Sequence, residues 1–461
     1  MRKEVKMKYV IIGNSAAGIG AVEGIRATEA AFAAKAAFAA KAAGAANVAE
    51  QIDKQSEITI ITNETHHTYS RPLISYLLLG KVTEETMKYR GENFYIDNNV
   101  SLLSGVTVTK IDAVKKQAAL SNGGSVPYDK LLVAAGSSAF VPPFEGLDTV
   151  QNKVTFMSLD DARKLDAMIK NESSAESQQK HRVLIIGAGL IGLKCAEGIS
   201  NYVCAKKVSK ITVVDLAPRI LSSILDEEGA AIVQKHIEEQ GIEFKLAASV
   251  KKFDQNSAVL ENGETINFDI LVLAVGVRPN TSLLKDIADI DRGIIVNSKS
   301  ETSAKDIYAA GDCTQTLDIS SGQNKIMALL PNAYMQGECA GINMAEGEKS
   351  FDKAIPMNAI GFFGLHMITA GNYTGEIYKL KNEESKTQSK NNPIYKKLFY
   401  SDNKLNGYIL IGNVEKAGIY TSLIREKTPL NSIDFALVCE KPGLMAFTKE
   451  ERMVKLGGRK A

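Results

Sequence analysis

Two short stretches of this chain share one design. "YVIIGNSAAG", Tyr9 to Gly18, and "RVLIIGAGLIG", Arg182 to Gly192, each carry a short apolar run into a glycine-rich turn. A buried strand ending in closely spaced glycines is a phosphate-binding device: the glycines admit a pyrophosphate to the backbone, and the next helix offers its positive end. One such match is weak evidence. Two, about one domain apart, constrain the fold to a pair of nucleotide-binding α/β units, and two nucleotides held close together imply electron transfer.

Other runs, "EITIIT", "KLLVAAG", "KITVVD" and "DILVLAVG", are rich in Ile, Val and Leu without alternation, which is how strands covered on both faces read. Helical stretches between them predict parallel α/β architecture. The length of 461 residues suits roughly three domains. "NESSAESQQKH", Asn171 to His181, is polar and helix-poor, a linker before the second turn. After about residue 350 short alternating strands take over in "KKLFYSDNKLNGYILIG", with "DNKLNG" as a hairpin turn, so a separate α+β domain is expected.

In "GAGLIG", Gly187 permits the tight turn, Gly189 lets backbone amides reach the pyrophosphate, and Gly192 lets the helix pack closely; Leu190 and Ile191 lie between. Asp215 ends the next strand, 23 residues past Gly192, where a carboxylate accepts hydrogen bonds from a ribose diol and repels a 2'-phosphate. NADH is therefore expected over NADPH, with Arg219 the one residue that argues the other way. The first turn keeps Gly13 and Gly18 but has Ser15 at the middle glycine, followed by Ala16. Its acidic partner, Glu64, stands 46 residues beyond Gly18 instead of about 20. An alanine-rich run from Thr28 to about Ala49, with "AFAAKA" twice in tandem, accounts for the excess, and Asn63 is the alternative ribose ligand. The run should be helical. A six-residue step puts Phe32 and Phe38 on different faces, which makes it a poor core element. Because a crossover helix runs back against its strand, it should emerge away from the ligand crevice. It is then an insertion with no role in the chemistry, whose open readings are a partner or oligomer contact and an engineered helix.

The formal charge of +2 argues for neither nucleic acid nor membrane as a partner. "MRKEVKMKYVIIG" imitates a signal peptide, but its apolar run is too short and becomes a nucleotide turn, so a cytoplasmic location is expected. The five cysteines, Cys195, Cys204, Cys313, Cys339 and Cys439, show no CxxC or CxxxxC spacing, which supports neither a disulfide framework nor a metal site.

With both turns, "KLLVAAGS" around Ala135 and Gly136, "LVLAVGVRPN" containing Gly276, and "IYAAGDC" containing Gly311 and Asp312, the chain resembles the FAD-dependent pyridine nucleotide-disulfide oxidoreductase family. The likeness is strongest to its rubredoxin and ferredoxin reductases and the flavoprotein portion of nitrite reductases. The resemblance implies two Rossmann-like dinucleotide-binding domains, the NAD domain inserted into the FAD domain, and a C-terminal α+β interface domain. The corresponding segments are 1–155 and 291–348 for FAD (with the helical insertion at about 28–52), 156–290 for NAD, and 349–461 for the interface, with a homodimer expected. It implies FAD and NAD(H) as cofactors, assigns Asp312 to the flavin's ribityl-phosphate region, and adds Val108 to the cofactor-binding candidates.

Relatives that reduce disulfides carry CxxxxC, and others a single cysteine, where this chain reads "HHTYSRPLISYLL", His66 to Leu78. No thiol is present there, and serine lacks sulfur's redox chemistry. Cys313 is more often structural in such a position. "YSRPL" matches the rubredoxin-reductase branch and makes Arg71 and Pro72 candidate flavin-site residues, Arg71 neutralising charge on reduced flavin; the competing reading is a surface arginine with Pro72 at the first helical position. His66 and His67 are expected in an exposed loop. Lys194 stands where many relatives carry a glutamate that reaches the flavin–nicotinamide junction, and is either a third catalytic candidate or an exposed helix lysine. The expected function is hydride transfer from NADH to FAD and single-electron delivery to an iron-sulfur or rubredoxin-like partner. The alternatives are an NADH oxidase and a non-enzymatic flavoprotein subunit or sensor. "KTQSKNNPIYKK" and "ERMVKLGGRKA" offer basic surface for docking.

Overall fold

The strand that carries each glycine turn lies at the centre of its own five-stranded sheet. In a computed structural model that describes residues 6–42, 55–170, 180–379, 393–440, 442–443, 451 and 453–454, the first sheet runs in the order Ile307–Ala309, Lys130–Val133, Lys8–Ile12, Glu57–Ile61, Val100–Leu103. All its pairings are parallel. The second repeats the plan, in the order Ile242–Lys245, Val208–Val214, His181–Ile186, Ile270–Leu273, Lys153–Thr155, again all parallel. Lys8–Ile12 and His181–Ile186 are buried over their last four residues, as non-alternating apolar runs covered on both faces must be. In each sheet the chain leaves the central strand toward one neighbour and later returns to pair on the other side. A crevice opens at such a reversal, at the carboxyl ends of the strands.

The strand Ile307–Ala309 completes the first sheet after the whole second sheet has formed, so one unit is inserted into the other. A two-stranded antiparallel ribbon, Ser137–Ala139 against Val277–Pro279, joins the outgoing and returning chain. Because Lys153–Thr155 pairs with Leu271–Leu273, the chain is already in the second unit before the expected boundary at 155/156. Of the expected linker, 171–179 lie outside the described residues, and His181 is already strand.

The alanine-rich segment continues the first-turn helix, Ala16–Ala42, without a break. Arg26 on that helix donates from Nε to Asn98 O at 2.8 Å and from Nη2 to Ser56 O at 3.1 Å, just before the strands at Val100 and Glu57 begin. The helix therefore passes the amino-terminal edge of the sheet at Arg26 and leaves the body there, on the side away from the crevice. Phe32 is 44% exposed and Phe38 78%, as expected for side chains on no common apolar stripe. The remainder of the segment, 43–54, lies outside the described residues.

The C-terminal unit is an antiparallel sheet in the order Met357–Phe362, Leu365–Gly371, Lys404–Ile411, Tyr395–Ser401, Glu376–Lys379, covered by the helix Ala417–Arg425. Its predicted hairpin turns at Asp402 and Asn403 alone, both with positive φ (48° and 60°), and Lys404 to Gly407 already belong to the strand.

Candidate functional site

The two turns are built alike. Gly13 has φ +118°, and a Cβ there would lie 2.1 Å from Ala134 O; Gly187 has φ +115° and would meet Ala274 O at 2.2 Å. Gly18 presses on Gly13 O, and Gly192 on Gly187 O, so helix and strand meet backbone to backbone in both. At Gly189 the space a Cβ would fill is open, and Gly189 is the extended N-cap of the helix Leu190–Cys204. Leu190 and Ile191 are half-buried at its start. Ser15 and Ala16 open the first helix, with Ser15 O accepting from Ile19 N at 3.0 Å. Asn14, beside Ser15, accepts from the Tyr95 hydroxyl at 2.9 Å.

Asp215 follows the strand Val208–Val214, and its carboxylate ties the second turn together. Oδ2 accepts from Ala188 N at 2.6 Å and Oδ1 from Ala217 N at 2.7 Å. Each oxygen keeps a further acceptor site for a diol. Arg219 is turned toward the carbonyls of Ser222 and Leu225, at 3.4 and 3.5 Å.

On the first unit, Glu64, Tyr69 and Arg71 form one network. Glu64 Oε1 accepts from Arg71 Nη2 at 3.0 Å and from the Tyr69 hydroxyl at 3.2 Å. The Tyr69 hydroxyl accepts in turn from Arg71 Nη1 at 3.2 Å and from Leu159 N at 3.0 Å. Burial, with Glu64 adding to it and Arg71 opposing it, pushes the Tyr69 phenol up to about 12, so it remains a donor. Burial works against the Arg71 charge, yet Tyr69 and Glu64, with Asp312 adding to their field, hold its pKa above the ordinary value. Asn63 is exposed. Pro72 is exposed at the second position of the short helix Arg71–Leu73, one place later than the first helical position expected for it, while Arg71 is no free surface charge.

Asp312 accepts from Ser137 Oγ at 3.3 Å, and burial raises its carboxyl above the usual range although Ser137 and Arg71 oppose this. Gly136 (φ +64°) and Gly276 (φ +122°) each face open space where a Cβ would stand. Gly311 N donates to Gln336 Oε1 at 2.8 Å. Ala135 O accepts from Asn280 Nδ2 at 2.8 Å, which pins the ribbon between the units. Val108 is buried in the apolar core, so its side chain is unavailable and only its backbone could meet a ligand. The bare glycine edges, the half-buried Asp312 carboxyl and the Arg71 cation fit a long dinucleotide with an anionic middle, as FAD requires.

Two expectations need correction. His66 and His67 are not exposed loop residues: the His66 side chain is 14% exposed with Nε2 2.8 Å from Asp160, and His67 packs edge-on to Tyr95 at 5.0 Å. Of the two readings left open for Lys194, the exposed helix lysine does not hold: its side chain is 13% exposed, paired with Glu197, with its ammonium 4.5 Å from the centre of the Tyr76 ring. Of the basic docking segment, Lys397 is spent on Asp226 at 2.7 Å and Lys396 reaches Cys439 O at 2.9 Å, while 380–392 lie outside the described residues. Sequence reasoning missed Tyr69 and Glu197. Tyr69 stood inside the quoted "YSRPL", but nothing in its spacing reveals that it binds three groups.

Cys313 is fully buried beside Val133 O and Ala310 O, and burial pushes its thiol up to about 12. Cys195, Cys339 and Cys439 are buried as well. Among the described residues no cluster of His, Cys, Asp and Glu could hold a metal, and no helix is long and apolar enough to cross a membrane.

Residues 36–337 match the model of the pyridine nucleotide-disulphide oxidoreductase family. The chain belongs to that family. The match begins inside the alanine-rich segment, so the first strand and turn are tied to the family fold by the structure. Residues 356–428 match the rubredoxin NAD+ reductase C-terminal domain. Members of this oxidoreductase family use FAD and NADH. Among its members, the chain is 30% identical over 392 residues to the NADH-dependent phenylglyoxylate dehydrogenase subunit epsilon of Aromatoleum evansii, covering 83% of this chain and 88% of that one. It is 28% identical over 368 residues to the NADH-rubredoxin oxidoreductase of Clostridium acetobutylicum, covering 79% and 86%. The fold superposes on the putidaredoxin reductase–putidaredoxin covalent complex with a TM-score of 0.79 at 20% identity, over 99% of this chain and 100% of the other.

Proposed function

We propose that the chain is an NADH-dependent flavoprotein reductase that passes electrons singly to an iron-sulfur or rubredoxin-like protein. The observation that carries this is the contact between the two nucleotide units. The helix of the second turn packs by Gly198 on the backbone of Ser75, three residues past Pro72, so the NAD-side helix is in direct contact with the short helix Ile74–Leu78 that follows "YSRPL". When bound, FAD supplies the exchange between a two-electron hydride donor and a one-electron acceptor.

The chain's own groups hold and orient. Gly13, Gly18, Ser15 and Ala16, with Glu64 and Asp312, would hold the flavin nucleotide, and Gly187, Gly189, Gly192 and Asp215 would hold NADH. Arg71 supplies positive charge toward the flavin, and Lys194 supplies it at the junction. "HHTYSRPLISYLL" has no sulfur to relay electrons, which favours a route from flavin to partner. The relatives named for rubredoxin and the C-terminal domain match support that class of acceptor. A homodimer and a cytoplasmic location belong to the same proposal. Reduction of the protein by NADH without oxygen, followed by mixing with either rubredoxin or oxygen, tests it. Fast reoxidation by oxygen alone would make the chain an NADH oxidase, and no reduction by NADH would make it a non-enzymatic flavoprotein.

A further inference from the structure

The first hairpin of the C-terminal sheet turns at Phe363 and Gly364, with φ +48° and +86°. This turn is set into the second nucleotide unit. From the helix Leu190–Cys204, Glu197 accepts the Phe363 N–H at 2.8 Å through Oε1 and pairs Oε2 with Lys194. Lys194 also donates to Gly361 O at 3.2 Å, and its ammonium stands over the Tyr76 ring and 5.6 Å from the centre of the Phe362 ring. From the helix Glu227–Glu238, His236 Nε2 lies 3.2 Å from Phe363 O. The Glu197 side chain is 5% exposed.

An ion pair three residues apart on a helix is worth a few tenths of a kcal/mol when solvated. A buried pair is costly to desolvate, and is held only where its remaining hydrogen-bonding capacity is filled. Here the C-terminal turn fills it, with one N–H for the carboxylate and one carbonyl for the ammonium. The place of the Lys194 charge is thus set by three parts of the chain: its own helix, the Tyr76 segment, and a turn from another domain.

We infer that Glu197 is a positioning residue, which fixes the Lys194 ammonium against Tyr76 and makes the C-terminal turn a working part of the flavin–nicotinamide junction. The inference rests on the reading of the chain as an NADH-dependent flavoprotein. It gives the C-terminal domain a part in the reaction with NADH.

The test uses the FAD-loaded full chain and the variants Glu197→Gln, Lys194→Met and both together. Each is mixed with NADH without oxygen while flavin colour, FAD content and the concentration dependence on NADH are followed. Each single change slows the limiting rate about tenfold, corresponding to ~1.4 kcal/mol, at unchanged FAD content, and the double variant is no slower than Lys194→Met. Effects that multiply in the double variant overturn the inference, as does a Glu197→Gln protein that melts earlier but reacts at the normal rate. If Glu197→Gln does not fold, Glu197→Asp keeps the charge but withdraws it, and an unchanged rate there is equally fatal. Failure of the underlying reading looks different: the unaltered protein would hold FAD and not react with NADH.

Discussion

Gly198 rests its bare Cα on Ser75: a Cβ at Gly198 would lie 3.1 Å from Ser75 O and 3.5 Å from the Leu78 Cβ. One helix belongs to the second glycine turn and the other follows Arg71 and Pro72, so this contact sets how closely these two helices approach, and with them the two proposed nucleotide sites. Gly198→Val forces the helices apart. Overpacking of this kind costs about 1–3 kcal/mol, and the expected result is a protein that still takes up FAD and NADH but transfers hydride at least tenfold more slowly (about 1.4 kcal/mol per tenfold). Single-turnover reduction against the two binding constants measures it.

Asp215→Asn removes the charge proposed to face the ribose while keeping an acceptor for Ala188 N or Ala217 N. Hydrogen bonds to charged groups contribute about 1.5–3 kcal/mol, so KM for NADH should rise roughly tenfold or more. Discrimination against NADPH should narrow, because the repulsion of a 2'-phosphate is gone. Steady-state kinetics with both cofactors decides this; an unchanged ratio would remove Asp215 from the ribose site.

Asp312 gives a pH prediction with a definite sign. Burial raises its carboxyl above the unfolded value, although Ser137 and Arg71 oppose this, so the neutral acid is favoured more in the folded than in the unfolded chain. That contribution is fully present below the unfolded pKa, about 3.9, and is lost as pH rises through the folded pKa. Asp312→Asn should therefore raise the melting temperature of the FAD-free protein at neutral pH, with the gain shrinking as pH falls toward that of an ordinary aspartate. The same variant should bind FAD more weakly. A melting temperature gain that persists unchanged into acid would contradict this cause.

Cys313→Ala should keep the NADH-dependent rate within about twofold, less than ~0.5 kcal/mol in barrier. The thiol, pushed to about 12 by burial, is inert at neutral pH. A large loss of activity at unchanged FAD content would restore sulfur to the reaction.

Much of this architecture was legible because a turn that grips a phosphate leaves few choices of residue. Gly13 and Gly187 need positive φ and bare Cα atoms against a carbonyl oxygen, and both needs are written as glycine. The place of Asp215 beside the second turn was readable from its distance to Gly192, and the helical alanine-rich segment from its composition. What was hidden depends on contacts between segments far apart in the chain. Lys194 looks the same whether it is solvated or pinned by Glu197 and Gly361, and His66 reads as an exposed residue until Asp160, 94 positions later, arrives beside it. The junction with the C-terminal turn could not be read from local pattern, because its bonds use backbone groups that every residue possesses.

The most direct test of the central claim is anaerobic mixing of the FAD-loaded protein with NADH, followed by separate mixing with rubredoxin and with oxygen. The visible flavin absorbance should be lost rapidly, and colour should then return much faster with rubredoxin than with oxygen. A yellow protein that NADH cannot bleach would contradict that claim.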